Sequence, residues 1–149
     1  MQIKGYHFID VSIFASVVFE DVYQRECLRY LNRVSKIYKG STSLLALGEL
    51  YLSFLKNIND NTQRANSFFN ITGLIENLFL EYVTLDIPYY LQCVEKINYT
   101  DPRIDITDTK LLAEALGQGV DTFVTTDNKI LSSQKINDLI NVKHPEDLI

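Results

Sequence analysis

The chain has 149 residues, of which 46% are hydrophobic, and its nine Tyr and eight Phe exclude a disordered polar chain. A chain of this length fits one globular domain, and its net charge of −5 argues against binding nucleic acid through overall charge. No apolar run reaches the ~20 residues of a membrane span and the N-terminal residues lack a signal-peptide pattern, so we expect a soluble cytoplasmic protein without a membrane partner.

The first third of the chain predicts a strand followed by two helices. Residues 6–9 alternate like a short strand, and apolar residues from 11 to 19 recur at helical spacing. The next helix has an apolar face formed by Cys27, Leu28, Leu31 and Val34. Its other face carries a basic stripe that could follow an RNA backbone, face an acidic partner or be an ordinary solvated surface: Arg25, Arg29, Arg33 and Lys36.

The middle of the chain predicts further helices. After a short link that could include a strand, a helix begins with an apolar face of Leu47, Leu50, Tyr51, Phe54, Leu55 and Ile58. Residues 64–82 predict a long helix whose apolar side includes Phe68, Ile71 and Ile75, and residues 82–85 a strand. Pro88 suits the first turn of a helix that runs to about Asn98.

The last third predicts a helix between strands. Thr107 or Asp108 is the expected N-cap, and Gly117 and Gly119 end the helix. The segment DTFVT then reads as a strand, and a final short strand is expected near 139–142. This alternation predicts an α/β fold, in which a mostly parallel sheet is covered on both faces by helices.

Four acidic residues are placed to meet at one edge of that sheet. Asp10 and Asp127 directly follow predicted strands, Asp108 opens the helix before the second of them, and Glu49 lies within a predicted helix. Ligands of parallel sheets bind outside the carboxyl ends of the strands. Each residue alone also has an ordinary explanation, as a helix cap, a turn residue or a solvated helix margin. Together, four neighbouring carboxylates would repel one another unless a hard divalent cation lay among them.

The sequence resembles the PIN-domain nuclease family, which includes the VapC-type toxins, over essentially the whole chain. The resemblance is carried by FIDVS near the start, Glu49 within LLALGEL, the block DTKLLAEALGQGVDTFVTTD and the closing VKHPEDLI. It implies a single PIN-like domain over residues 1–149, a three-layer α/β/α sandwich. The block from Asp108 to Asp127 is its most specific part.

The resemblance also implies a function and a set of site residues. By position, Asp10, Glu49, Asp108 and Asp127 match the catalytic acidic residues that bind Mg²⁺ or Mn²⁺ for cleavage of single-stranded RNA. Ser12 and Thr125 match supporting hydroxyls, and Asp105 is the residue that a small register error would exchange for Asp108.

The resemblance further suggests the toxin of a toxin-antitoxin pair, with a small antitoxin partner and a homodimeric state. The alternative is a catalytically silent PIN-fold module that binds or scaffolds. No competing site is evident, because His7 and His144 have no third partner for a catalytic triad. Cys27 and Cys93 lack metal-ligand spacing and are expected to be core residues.

Overall fold

The structure, a computed structural model, describes residues 2–149 and contains one five-stranded sheet. The strands are β1 (Gly5–Ile9), β2 (Tyr38–Thr42), β3 (Glu81–Tyr82), β4 (Thr122–Val124) and β5 (Asn141–Lys143). Every pairing is parallel, and the spatial order is β3-β2-β1-β4-β5. The carboxyl ends of all five strands therefore meet at one edge of the sheet.

Helices connect the strands. They are α1 (Val11–Phe19), α2 (Gln24–Leu31), α3 (Leu44–Asn57), α4 (Asn61–Asn77), α5 (Ile87–Thr100), α6 (Ile106–Gln118), α7 (Asn128–Leu131) and α8 (Gln134–Leu139), followed by a 3-10 helix (Pro145–Leu148). Within residues 2–149, no helix is both long enough and apolar enough to cross a membrane.

The strands present alternate residues to two separate cores, as the pleat requires. Phe8 of β1 pairs with Phe123 of β4, and their rings stack at 5.4 Å within a core supplied by α5 to α8. The next pair, Ile9 and Val124, faces a second core supplied by α1, α2, α4 and most of α3. Helices thus cover both faces of the sheet, which confirms the predicted three-layer α/β/α sandwich.

Hydrogen bonds beyond the ends of the strands hold the carboxyl edge together. The Asp10 amide donates to the Val124 carbonyl at 3.0 Å, and the Thr125 amide donates to the Lys143 carbonyl at 3.0 Å. The residues that follow β1 and β4 are therefore adjacent, which is the proximity that the strand pattern predicts.

The helix predicted around residues 25–36 is shorter in the structure. It ends at Leu31, because the chain turns at Ser35, which has a φ of 70°, and Val34 forms a bridge with Tyr38. Arg33 and Lys36 consequently lie in the turn rather than on the helix, and the predicted helical stripe is wrong for these two residues. Leu28, which was expected to be buried, is 39% exposed.

The boundaries around α4 also differ from the prediction. The helix ends at Asn77 rather than at residue 82, because Phe79 has a φ of 52° and the chain then enters β3, two residues long. Tyr51, Leu55 and Phe68 were predicted to be buried but are exposed. The sheet and the second core leave the outer sides of α3 and α4 uncovered.

The start of α6 is a further correction. Asp105 is the N-cap, so the helix begins before the predicted caps Thr107 and Asp108. Its end agrees with the prediction, since Gly119 adopts the left-handed conformation (φ 75°) that favours glycine at a helix C-terminus. The four-residue helix α7 after Asp127 was not predicted.

Candidate active site

Asp10 lies at the end of β1 and is 2% exposed. It is the N-cap of α1, and its Oδ1 accepts a hydrogen bond from the Val11 amide at 2.8 Å. Its Oδ2 accepts from the Ser12 hydroxyl at 2.9 Å and from the Thr125 hydroxyl at 2.7 Å. Burial raises the pKa of Asp10, and these three hydrogen bonds oppose the rise by stabilising the carboxylate.

The two hydroxyls also fix the loop after β4. The Ser12 hydroxyl accepts from the Thr126 amide at 3.1 Å, and the Thr125 hydroxyl accepts from the Asp127 amide at 3.0 Å. Each hydroxyl therefore donates to Asp10 and accepts from the chain that leads to Asp127. Through them, the position of one carboxylate depends on that of the other.

Asp127 has a structural role as well as a place in the cleft. It is the N-cap of α7, and its Oδ1 accepts from the Lys129 amide at 2.9 Å. The turn interpretation and the site interpretation of this residue are therefore compatible. Capping uses one carboxylate oxygen and leaves the rest of the group beside the cleft.

Asp108 lies in the first turn of α6, where its amide donates to Oδ1 of the cap residue Asp105 at 2.8 Å. The pKa of Asp108 is raised to about 8, first by burial and then by the negative charges of Asp10, Asp105 and Asp127. The surroundings of Asp108 therefore disfavour the charged form of its carboxyl group.

Glu49 approaches the same place from α3 and is partly buried. Burial raises the pKa of Glu49, and the charges of Asp10 and Asp105 raise it further. The nearby Thr107 side chain and the charge of Lys110 act in the opposite direction. Glu49 is thus within electrostatic reach of residues that come from β1 and from the start of α6.

An open cleft of about 630 Å³ collects these groups at the carboxyl edge. Its acidic lining residues are Glu49, Asp105, Asp108 and Asp127, and Ile104, Ile106 and Thr107 complete the wall. Asp10 acts electrostatically on Asp108 and Glu49 from its buried position. All four predicted acidic residues are therefore brought together, and Asp105 joins them.

The carboxylates surround the cleft without forming a ready metal cage. Within residues 2–149, no group of three or more His, Cys, Asp or Glu side chains is disposed so that it could hold a metal ion as placed. The donor set nevertheless consists of the oxygen ligands that hard divalent cations take. The pKa values of Asp10, Glu49 and Asp108 are raised, first by burial and then by the negative charge of their neighbours.

Two members of the cleft were not predicted as site residues. The sequence leaves open whether Asp105 takes part in the site and offers Thr107 as a possible cap, whereas in the structure both line the cleft. The sequence does contain a signal for Asp105. At the start of a helix, an acidic N-cap residue is often followed three positions later by a second acidic residue, and Asp105 and Asp108 have this spacing.

The basic residues predicted to contact RNA are not brought to the cleft. Arg25 and Arg29 are exposed on α2. Arg33 and Lys36 precede the first residue of β2, and the Arg33 carbonyl accepts from the Tyr38 amide at 3.3 Å. In a parallel sheet the start of β2 lies at the edge opposite the acidic cleft.

Comparison with known proteins identifies the fold. No protein-family profile and no curated protein sequence matches the chain. A chain of VapBC2 from Rickettsia felis, bound to a DNA fragment from its promoter, matches with a TM-score of 0.69 at 16% identity, over 93% of this chain and 98% of that one. FitAcB from Neisseria gonorrhoeae matches with a TM-score of 0.69 at 14% identity, over 93% and 97%. The chain has a PIN-like fold.

A third structure with this PIN-like fold is VapC20 from Mycobacterium tuberculosis, described as a toxin that cleaves the sarcin-ricin loop. It matches with a TM-score of 0.63 at 18% identity, over 92% of this chain and 98% of its own. The PIN-like fold thus spans nearly the whole length of each protein. At sequence identities this low, the similarity shows a shared fold and nothing further.

Proposed function

We propose that the chain is a Mg²⁺- or Mn²⁺-dependent endoribonuclease that hydrolyses phosphodiester bonds of single-stranded RNA. The observation that carries the proposal is that Glu49, Asp108 and Asp127 line one open cleft at the carboxyl edge of a PIN-like sheet, with the buried Asp10 within electrostatic reach of Glu49 and Asp108. Carboxylates gathered in this way, with the pKa values of Asp10, Glu49 and Asp108 raised chiefly by burial, are the environment that a divalent cation would neutralise.

The metal would be held by these same four carboxylates. When bound, such an ion activates a water molecule as nucleophile and stabilises the negative charge that develops on the phosphate. The chain's own residues set the positions of the ligands. Ser12 and Thr125 hold Oδ2 of Asp10, and the Lys129 amide holds Oδ1 of Asp127.

RNA as the substrate class is supported by the fold likeness to VapC20, whose description names cleavage of the sarcin-ricin loop. The cleft itself favours a polymer over a small molecule, because it is open and shallow-walled rather than an enclosed apolar pocket. We therefore propose single-stranded or looped RNA as the substrate.

A protein partner is part of the same proposal. VapBC-5 from Mycobacterium tuberculosis, a solved structure with this fold, is described as a member of the VapBC family of toxin-antitoxin systems, and we propose that this chain is likewise a toxin with a small antitoxin. Exposed aromatic residues on α3 and α4 (Tyr51, Phe68 and Phe69) line a surface cavity of about 500 Å³ that would suit an apolar partner segment. Co-purification with the product of a short neighbouring reading frame would test this part.

The nuclease proposal is tested by removing single negative charges. Asp10→Asn and Asp127→Asn should each lower Mn²⁺-dependent cleavage of a labelled RNA by about 10²-fold or more, since several kcal/mol of charge stabilisation are lost. Glu95→Gln, an exposed change of the same charge on α5, is the matched control and should retain activity. Circular dichroism would verify that all three variants are folded, and full activity in either Asp variant would reject the assignment.

The alternative is a PIN-like module that binds a partner without turnover. It is favoured by one observation, the lack of a ready metal-binding group among residues 2–149. Isothermal titration with Mn²⁺ and with Ca²⁺ separates the two functions, because a silent scaffold has no need to bind either ion. A saturable Mn²⁺ isotherm that is lost in Asp10→Asn would favour the nuclease.

A further inference from the structure

A further cavity, of about 320 Å³, adjoins the acidic cleft. It is lined by Asp101, Arg103, Ile104, Lys129, Ser132 and Ser133, and we call it the basic pocket. Ile104 lines both cavities, so the two share a wall. Lys129 also lies two residues after Asp127, at the start of α7. The basic pocket is therefore the part of the surface next to the proposed scissile position.

Arg103 is held in a fixed orientation within this pocket. Asp101, which is buried, accepts from Nε of Arg103 at 3.0 Å and from its Nη2 at 3.1 Å, and also from the Arg103 amide at 3.1 Å. The Ser133 hydroxyl donates to the same carboxylate at 2.6 Å. These bonds hold the pKa of Asp101 well below its usual range, so it remains an ionised anchor.

The anchored guanidinium keeps donors for a ligand. The Arg103 side chain is 80% exposed, and among the described residues no acceptor is bonded to its Nη1. A guanidinium that is clamped along one edge presents its other edge in a fixed plane, which is the geometry for paired hydrogen bonds to a phosphate.

Lys129 adds a second cation that no acidic residue neutralises. Its amide is bonded to Asp127, but within residues 2–149 its ammonium group forms no ion pair with a carboxylate. The half of the chain that contains it is acidic, with six Lys or Arg against thirteen Asp or Glu over residues 76–149. The unpaired positive charge of Lys129 therefore stands out in a part of the chain that is otherwise acidic.

We propose that the basic pocket binds a backbone phosphate of the RNA strand next to the phosphate that enters the acidic cleft. This inference rests on the proposed function. Arg103 would donate to the phosphate in its fixed plane, Lys129 would add a mobile point charge, and the exposed Ser132 hydroxyl would be a further donor. An RNA strand needs such an attachment, because the carboxylates of the cleft by themselves repel it.

The test measures how RNA affinity depends on salt. A fluorescently labelled single-stranded RNA oligonucleotide is titrated with the full chain in Ca²⁺, at KCl concentrations from about 50 to 200 mM, for the wild type, Lys129→Gln and Lys4→Gln. Lys4→Gln removes the same charge, but at the opposite edge of the sheet, where β1 begins. Lys129→Gln keeps the backbone bond to Asp127.

The expected result follows from counterion release, in which each phosphate contact to a single strand contributes ~0.7 to the slope of log K against log salt. The magnitude of the slope for Lys129→Gln should be smaller than that of the wild type by about 0.7. Over this salt range, the fold-loss of RNA affinity should therefore be roughly 2.5 times smaller for Lys129→Gln than for the wild type. Lys4→Gln should keep the wild-type slope.

A second variant examines Arg103 without leaving Asp101 as an unpaired buried charge. Arg103→Lys preserves the charge but loses the paired donors, so RNA affinity should fall by roughly three- to tenfold while the salt slope stays within ~0.2 of the wild type.

If wild type, Lys129→Gln and Lys4→Gln bind RNA with equal slopes, the basic pocket is not a phosphate site and the nuclease proposal stands. If the wild type binds no RNA at any salt concentration, both proposals fail.

Discussion

Thr125 is the residue on which the geometry of the site depends most. Its hydroxyl donates to Oδ2 of the buried Asp10 and accepts from the Asp127 amide, so one side chain serves two proposed metal ligands. The sequence predicts the hydroxyl at this position only as a supporting group. The structure shows why a hydroxyl that both donates and accepts is required there.

Replacing Thr125 by Val keeps the shape of the side chain and removes both hydrogen bonds. We expect Thr125→Val to lower the free energy of unfolding by about 1–3 kcal/mol, because it leaves the Asp127 amide and one lone pair of Asp10 without a partner. Urea unfolding would measure the loss. Thr126→Val is the control, since the structure shows no hydrogen bond of the Thr126 hydroxyl within residues 2–149; equal stability of the two variants would contradict the role of Thr125.

Asp108 predicts a dependence of stability on pH. In the folded, metal-free chain its pKa is about 8, whereas in the unfolded chain it has the ordinary value near 3.8. Between these values the folded state binds more protons than the unfolded state, so the free energy of unfolding falls as the pH rises from about 4 to 8. This pH-dependent loss of stability should be absent when residue 108 cannot ionise.

The variant Asp108→Asn should therefore be more stable than the wild type at pH 8 in EDTA, by about 1 kcal/mol after allowance for solvent screening. At pH 4 the two proteins should unfold at the same urea concentration. Glu95→Gln, at an exposed site on α5, is the control for the loss of one negative charge. A wild type that is as stable as Asp108→Asn at pH 8 would show that Asp108 is already ionised at little cost.

At the level of elements, the start of α6 combines capping with charge. Asp105 caps the helix through the Asp108 amide and also raises the pKa of Asp108. Asp105→Ser keeps a capping oxygen but removes the charge, whereas Asp105→Ala removes both. We expect Asp105→Ala to be less stable than Asp105→Ser by about 0.5–2 kcal/mol in urea unfolding. Equal stability of the two would mean that the cap contributes nothing.

The elements also show how far the sequence reaches. Periodicity correctly predicts β1, α1, α5 and β4, because their buried faces follow the helical or strand repeat without interruption. It fails where α2 and α4 end, since Ser35 and Phe79 adopt positive φ without being glycine. The positive φ region favours glycine, so neither a Ser nor a Phe marks such a turn in the sequence.

The candidate site was predictable in the part that follows from the order of strands and helices. Asp10 and Asp127 follow strands, and parallel strands place their carboxyl ends at one edge, so their proximity follows from topology alone. The role of Asp105 and the contact of Glu49 with Thr107 depend on which side chain turns toward the cleft. The predicted basic stripe was wrong for Arg33 and Lys36. The helix ends at Leu31, so these two residues cannot lie on one helical face with Arg25 and Arg29.

For the whole molecule, charge is distributed unevenly. Residues 1–75 carry eight Lys or Arg against six Asp or Glu, whereas the remaining residues are acidic and supply most of the cleft. A polyanionic substrate approaches such a surface only if cations lie at the cleft, either bound metal or the side chains of the basic pocket. The proposed metal and the proposed phosphate contact therefore answer the same electrostatic requirement.

The measurement that tests the central claim most directly is the metal dependence of RNA cleavage by the wild-type chain. A mixed RNA pool is incubated with the purified protein in EDTA, in Mn²⁺, and in EDTA followed by excess Mn²⁺, and the new ends are mapped by sequencing. We predict cleavage at discrete positions in Mn²⁺, none in EDTA, and recovery when Mn²⁺ is added back. Cleavage that persists in EDTA, or RNA that stays intact in every divalent ion supplied, would contradict a metal-dependent nuclease at this cleft.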